Sequence, residues 1–358
     1  ADLAGWPSET LDALIACANS LDSLTRGHLW LLAYERRYRE QLLGALAGKP
    51  DRRAEARLPS AQVVMCMDDR EEGTRRHLEE IAPGIETYGA AGFFGVAMYW
   101  QGAGDAGRTA LCPVVVQPVH AVTEIAAPGE DDALRRQLLR RQQRAEWRES
   151  LMQATRRSPV LAPVLGALAA APALGALVAG SLAPAWLGDA LARWQERSDG
   201  TPTTRVALTA EAPAAAPTPQ APQAGFTDDE QAERVAAFLR MIGLTRDFAP
   251  LVLMLGHGSE SRNNPHRSAY DCGACSGRHG GPNARVFAAM ANRPAVRARL
   301  AVQGLTIPES TWFVAAQHNT CDDAVLWYDT DLVPPARQAE FDTLVVQLAE
   351  ACRAHAAE

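Results

Sequence analysis

The stretch Val63-Val64-Met65-Cys66-Met67-Asp68-Asp69-Arg70 decides the fold class. Its apolar start reads as a buried strand, and Glu71 to Ile81 beyond it reads as a helix. Cys66, Asp68 and Arg70 therefore cluster at the carboxyl end of a strand, where open α/β sheets place their chemistry. A thiolate is a soft, strong zinc ligand, and a carboxylate two residues on can be a ligand or a gate. Arg70 can grip Asp68 in a two-point fork, which keeps the carboxylate off a metal or releases it. Asp69, Glu71 and Glu72 open the helix, where acids favour the positive end of its dipole, and they receive no chemical role.

The partner motif lies far along the chain. Phe248 to Leu255 is another buried-strand pattern, ending in Gly256-His257-Gly258-Ser259. Glycines on both sides of His257 suit a turn that brings backbone close to a ligand. A polar loop, Glu260 to Tyr270, leads to Asp271-Cys272-Gly273-Ala274-Cys275. Cys66, His257 and Cys272 supply two thiolates and one imidazole, and Asp68, or a water in its place, completes a tetrahedron. Three protein ligands and one exchangeable position make a catalytic zinc inventory.

C-x-D-x-R with a distant His and Cys resembles the zinc site of β-class carbonic anhydrases. The longer stretches VVMCMDDREEGTRRHLE, YGAAGFFGVAM, GHGSESRNNPHRSAYDCGACSGRHGGPNARVFAAMAN and TWFVAAQHNT closely resemble the DabA family of inorganic carbon transporter subunits. The resemblance covers most of the chain and is most specific over 60–110 and 248–320. It implies an α/β fold with a β-carbonic-anhydrase-like, mostly parallel sheet and a large helical insertion. It places the zinc ligands on Cys66, Asp68, His257 and Cys272, and the dyad arginine on Arg70. It further implies a zinc-dependent conversion of carbon dioxide to bicarbonate, active only when coupled to a membrane-embedded proton- or cation-translocating subunit. The place implied is peripheral, on the cytoplasmic face of a bacterial inner membrane. Family members are much longer than this chain, which starts at Ala1 and stops inside an apparent helix, Pro335 to Ala356; it reads as a central fragment or a shortened member. The alternative function is a structural-zinc scaffold subunit of a membrane complex, for which a ligand-withdrawing arginine has no use.

A rival ligand pair, His318 and Cys321, has the H-x-x-C spacing of ordinary β-carbonic anhydrases and follows a strand-like run, Thr311 to Ala316. The resemblance favours His257 and Cys272, because relatives usually lack a cysteine at the place of Cys321; His318 then reads as a polar loop residue near the pocket. Cys272 and Cys275 form a C-x-x-C, but no second one exists to complete a four-cysteine site, so Cys275 reads as a bystander. His266 and His279 read as exposed loop histidines, with proton shuttling as the alternative. Cys17, Cys112 and Cys352 read as small buried hydrophobes. Gly89 to Gly95 brackets two aromatics, as one wall of a small-gas pocket or as plain core.

Around the site the chain divides into 1–59, an N-terminal helical segment; 60–126 plus 245–330, the zinc domain; 127–244, a helical and apolar insertion with an Ala/Pro linker; and 331–358, a C-terminal helix. Ser8 reads as the N-cap of a helical region over 8–47. Strands are expected at 62–66, 85–88, 112–117 and 201–209. Residues 130–157 read as an Arg-rich helix, and Ser158 to Gly188 has no charge over a length that exceeds a membrane span. Its prolines and small residues favour a helical hairpin, packed inside the protein or docked on a membrane partner. Residues 210–225 read as a linker, and Thr227 with Glu230 has capping-box spacing. A net charge of −7 without a basic block argues against a nucleic-acid partner. Seven irregularly spaced cysteines favour a reducing compartment, and the N-terminus lacks signal-peptide regions, as expected of a soluble cytosolic protein.

Overall fold

The computed structural model describes residues 5–48, 58–212, 215–260 and 270–358. They fall into two compact units, Ala1–Arg57 and Leu58–Glu358. In the first, α1 (Ser8–Ser20) and α2 (Ser23–Ala47) are joined at Asp22, whose carboxylate accepts from the Thr25 backbone N–H at 2.8 Å. The expected cap at Ser8 is displaced by one residue. Pro7 holds the extended cap dihedrals and Ser8 is already helical.

The second unit is built on a five-stranded sheet, ordered β10-β9-β8-β1-β2. Its strands are β1 (Ala61–Cys66), β2 (Ile85–Ala90), β8 (Leu251–Gly258), β9 (Trp312–Asn319) and β10 (Val325–Tyr328). All neighbours pair in parallel except β10, which is antiparallel to β9. The two expected site strands are thus adjacent, with Gln62 opposite Val252 and Met65 opposite Leu255.

Both faces of this sheet are covered, which explains why the strands read as unbroken apolar runs. On one face Val63, Met65, Leu253 and Leu255 pack with Leu78 of α3 (Asp69–Ile81) and with Phe341, Leu344 and Leu348 of α10 (Gln338–Ala357). On the other, Val64, Val252 and Met254 pack with residues of α7 (Asp228–Ile242), α8 (Gly281–Asn292) and α9 (Pro294–Val302), Phe238 and Phe287 among them. The capping box of α7 forms as its spacing predicts, with Thr227 and Glu230 bonding each other's backbone.

Several expectations need correction. The strand expected at 112–117 is absent, and Val114 and Val115 are exposed there. Pro113 and Pro118 lack the N–H that a ladder requires. The strands form on either side of that segment, in a second sheet of order β4-β3-β5-β6. It comprises β3 (Met98–Gln101), β4 (Thr109–Leu111), β5 (His120–Ala126) and β6 (Thr204–Ala207), with β7 (Gln223–Ala224) beside β5. The region 98–126 therefore leaves the first sheet and pairs with a strand from the insertion, instead of extending a single sheet.

The insertion also holds α4 (Asp131–Arg157), α5 (Leu161–Leu182) and α6 (Pro184–Asp199). An ion pair between Arg144 and Asp199 ties α4 to α6. The hairpin expected within 158–188 is instead one long helix, α5, paired with α6 beyond it, and α5 is not packed inside the protein. Ala162–Leu182 is long and apolar enough to cross a membrane by length and composition, and no residue of its most apolar window is buried.

Candidate metal centre

β1 delivers Cys66 at its last residue. The next turn is held by the Met67 N–H, which donates to the Ala90 carbonyl of β2 at 2.7 Å. Asp68 then caps α3, its Oδ1 accepting from the Arg70 N–H at 3.2 Å. β8 delivers His257 one strand away. Cys272 is presented by a tight return in which Cys275 and Gly277 N–H groups both donate to the Cys272 carbonyl at 3.0 Å. Ser276 and Gly277 take left-handed backbone there, at φ 60° and 65°. Gly280 closes the loop by donating to the His257 carbonyl at 2.7 Å.

The Cys66 and Cys272 sulphurs and a His257 ring nitrogen lie within 4.8 Å of one another, and all three residues are buried. Among the described residues, neither His257 nitrogen has a hydrogen-bond partner, an expensive state for a buried imidazole unless a further ligand takes it up. Hydrogen bonding to Cys272 and burial push the Cys66 thiol up, and the bond with Cys275 and burial do the same to Cys272. A cation reverses this, since a coordinating thiol is deprotonated outright. Backbone must also keep clear of the site. A Cβ on Gly92 would stand 2.7 Å from the Cys272 sulphur and 3.0 Å from that of Cys66.

The DabA family model, described as "Probable inorganic carbon transporter subunit DabA", matches residues 8–358. The chain belongs to the DabA family. A protein of that name from Dechloromonas aromatica is 66% identical over 358 residues, which is 100% of this chain and 35% of the relative. One from Methylococcus capsulatus is 50% identical over 362 residues, covering 100% of this chain and 34% of the relative. A third, from Nitrosococcus oceani, is 43% identical over 369 residues, 97% of this chain and 32% of the relative. The chain thus spans about a third of the length of the curated relatives it matches. No solved structure matches it.

In this DabA-family chain Asp68 faces two ways. Its Oδ1 is 2.6 Å from Arg70 Nη1, and its Oδ2 is 3.8 Å from His257 Nε2. Burial alone would raise the Asp68 pKa, but the Arg70 N–H, Asp69 and the charges of His257 and Arg70 outweigh it and hold the carboxyl below its ordinary value. His257 is shifted upward; burial opposes the charge, and Cys66, Glu71 and Asp68 favour it.

The rival pair does not join this group. Cys321 is exposed, while His318 is fully buried on β9 and is no loop residue. His318 Nδ1 lies 2.8 Å from Glu71 Oε1 and its Nε2 lies 3.0 Å from Asp323 Oδ1. Burial works against its charge, but Cys352 and Glu71 more than compensate and push its pKa up to about 11. Cys275 is buried beside Cys66 and Cys272. His279 is held between Asp271, at 3.3 Å, and Gln317, at 3.0 Å, so it is more fixed than an exposed loop histidine. His266 lies outside the described residues.

Cys112 and Cys352 are buried as expected, but Cys17 is exposed because α1 buries none of its residues. Phe94 is core, edge-on to Phe238 at 5.9 Å between centroids, whereas Phe93 packs against the three cysteines. Sequence reasoning passed over Glu71. Its signal was its place three residues after the Asp68 cap, a position whose side chain reaches back over the helix start. Another group with metal-like spacing, His77, His355 and Glu358, includes an exposed carboxylate already paired with Arg76.

Proposed function

We propose that this chain carries the zinc centre of an energy-coupled inorganic carbon uptake complex, and that the centre converts carbon dioxide to bicarbonate. Cys66, His257, Cys272 and Asp68 would hold the ion, on a sheet of β-carbonic-anhydrase type. The observation that carries this reading is the convergence of Cys66, His257 and Cys272 within 4.8 Å, beside an Asp68 that Arg70 grips at 2.6 Å. A zinc ion there would supply Lewis-acid activation of water near neutral pH.

The chain's own residues do the rest. With two thiolates already cancelling the charge of a bound ion, Asp68 would be a weakly held third anion, and Arg70, which grips it at 2.6 Å, would draw it aside and leave a place for water. A purely structural zinc site has no use for such an exchange, because closed sites keep all four protein ligands. Phe93, packed on the cysteines, offers an apolar side to an uncharged gas. The subunit wording in the relatives' name supports a partner. We take that partner to be a membrane-embedded, proton- or cation-translocating subunit, with this chain peripheral on its cytoplasmic side. The exposed apolar length of α5 fits such an attachment.

A zinc-edge anomalous map of the purified protein tests the centre. Density among Cys66, His257 and Cys272 is expected, and density beside Cys321, or none near Cys66, would overturn it. The gate has its own test in stopped-flow hydration of carbon dioxide. The isolated chain should stay near background, and rapid hydration would defeat gating by Asp68 and Arg70.

A further inference from the structure

We propose that Glu71 is the orienting carboxylate of the metal ligand His257, and that His318 and Asp323 hold Glu71 in place. The proposal rests on the metal-site reading above and adds three positioning residues to it.

The topology brings the four groups together from two strands, a helix and a turn. β8 and β9 pair in parallel with His257 directly opposite His318. The first turn of α3 places Glu71 against both. Asp323 stands in the turn between β9 and β10, at φ 57°, a left-handed conformation that aspartate tolerates better than most residues. Its N–H donates to the Asn319 carbonyl at 2.9 Å, which fixes that turn.

The contacts form a line from the surface inward. Asp323 Oδ1 is 3.0 Å from His318 Nε2, and His318 Nδ1 is 2.8 Å from Glu71 Oε1. Glu71 Oε1 is in turn 4.0 Å from His257 Nδ1. Exposure falls along the same line, from a 22% exposed Asp323 side chain to His318 at 0% and Glu71 at 1%.

Two unmet bonds at the inner end say what the line is for. Among the described residues, Glu71 Oε2 is buried without a hydrogen-bond partner, and so is His257 Nδ1. A buried acceptor and a buried donor, both unpaired, with the carboxylate's other oxygen already 4.0 Å from that nitrogen, are each other's remedy. The other nitrogen of His257, Nε2, lies 3.8 Å from Asp68 Oδ2 and is the one we assign to the metal. With Nε2 given to a metal, Nδ1 must carry the proton, and Glu71 is the acceptor beside it. A ligating histidine that donates its second N–H to a carboxylate is held in one tautomer and one ring orientation. His318 and Asp323 keep that carboxylate from turning to solvent or drifting onto the metal. Asp69 and Glu72, its neighbours on α3, show the contrast: the Asp69 side chain is 96% exposed and Glu72 pairs with Arg75 outside.

The experiment compares the purified wild-type chain with Glu71→Gln, His318→Gln and Asp323→Asn. Zinc affinity is read by chelator competition, and ligand geometry by the thiolate-to-cobalt charge-transfer bands of the Co2+ form. Glu71→Gln should weaken zinc by ~10- to 100-fold and shift the cobalt bands, as loss of an outer-shell partner does. His318→Gln should follow in the same direction by roughly tenfold, and Asp323→Asn by about threefold, smaller steps of the same outer-shell effect. Circular dichroism checks folding; should Glu71→Gln fail to fold, the near-surface Asp323→Asn carries the test. Folded variants with zinc affinity within about twofold of wild type and unshifted cobalt bands would overturn the proposal, since outer-shell losses exceed that. A wild-type chain that binds no zinc would instead sink the metal-site reading beneath it.

Discussion

At the carboxyl ends of β1, β8 and β9, ionisable side chains are buried: His257 and His318 at 0% exposure and Glu71 at 1%. On α5 the opposite holds, with Leu168 71% exposed, Leu174 61% and Leu182 82%. One region hides polar groups among apolar strands, and the other leaves apolar groups in the open. Burying charge is costly unless it is paired, and the strand ends meet that cost with close partners, Glu71 to His318 and Asp68 to Arg70. Helix α5 meets no such demand, because its apolar length adds nothing to the core of this unit. Polar burial here marks side chains that the chain pairs with one another, and apolar exposure leaves α5 outside the core of this unit.

The comparison breaks most easily at Gly92. Gly92→Ala would push a methyl against both sulphurs, and overpacking of this kind should destabilise the chain by about 1–3 kcal/mol. Thermal unfolding with zinc analysis checks it; an unchanged melting point and full zinc content would mean that the sulphurs are not confined. A smaller effect lies in the pH dependence of stability. His318 is held charged in the fold, with its pKa raised from 6.5 to about 11. A raised folded-state pKa gives stability that is complete below pH 6.5 and drains as pH rises toward 11. Melting temperatures should fall over that window, and His318→Gln should flatten the decline. The smallest effect belongs to α5. Leu174→Lys should leave stability within about 0.5 kcal/mol, the usual range for an exposed position. A larger loss in denaturant unfolding would show that α5 does support the core.

Much of the site was legible because its elements are locally determined. β1, β8 and β9 are continuous apolar runs, so their existence follows from pattern alone, as does the placement of Cys66 and His257 at strand ends. The capping box at Thr227 is equally local. Less legible were β3 and β10, short strands of four residues each, and α8, which begins inside a glycine-rich stretch that reads as loop. Pro113 misled in the other direction, since a valine-rich segment carries strand propensity that a missing N–H cancels.

By itself the sequence determined the periodicities, the turn chemistry and the inventory of two thiolates, an imidazole and a carboxylate held by an arginine. These depend on residues a few places apart, and local sterics and hydrogen bonding suffice to set them. Only the tertiary structure decided that β1 lies beside β8, that the region after β2 leaves for a second sheet, and that α5 stays exposed. It alone separated Glu71, buried against two histidines, from Asp69 and Glu72 on the same helical turn. Three neighbouring acids are nearly equivalent to local physics. What distinguishes them is which one the packing of distant strands encloses, and that is a property of the whole fold.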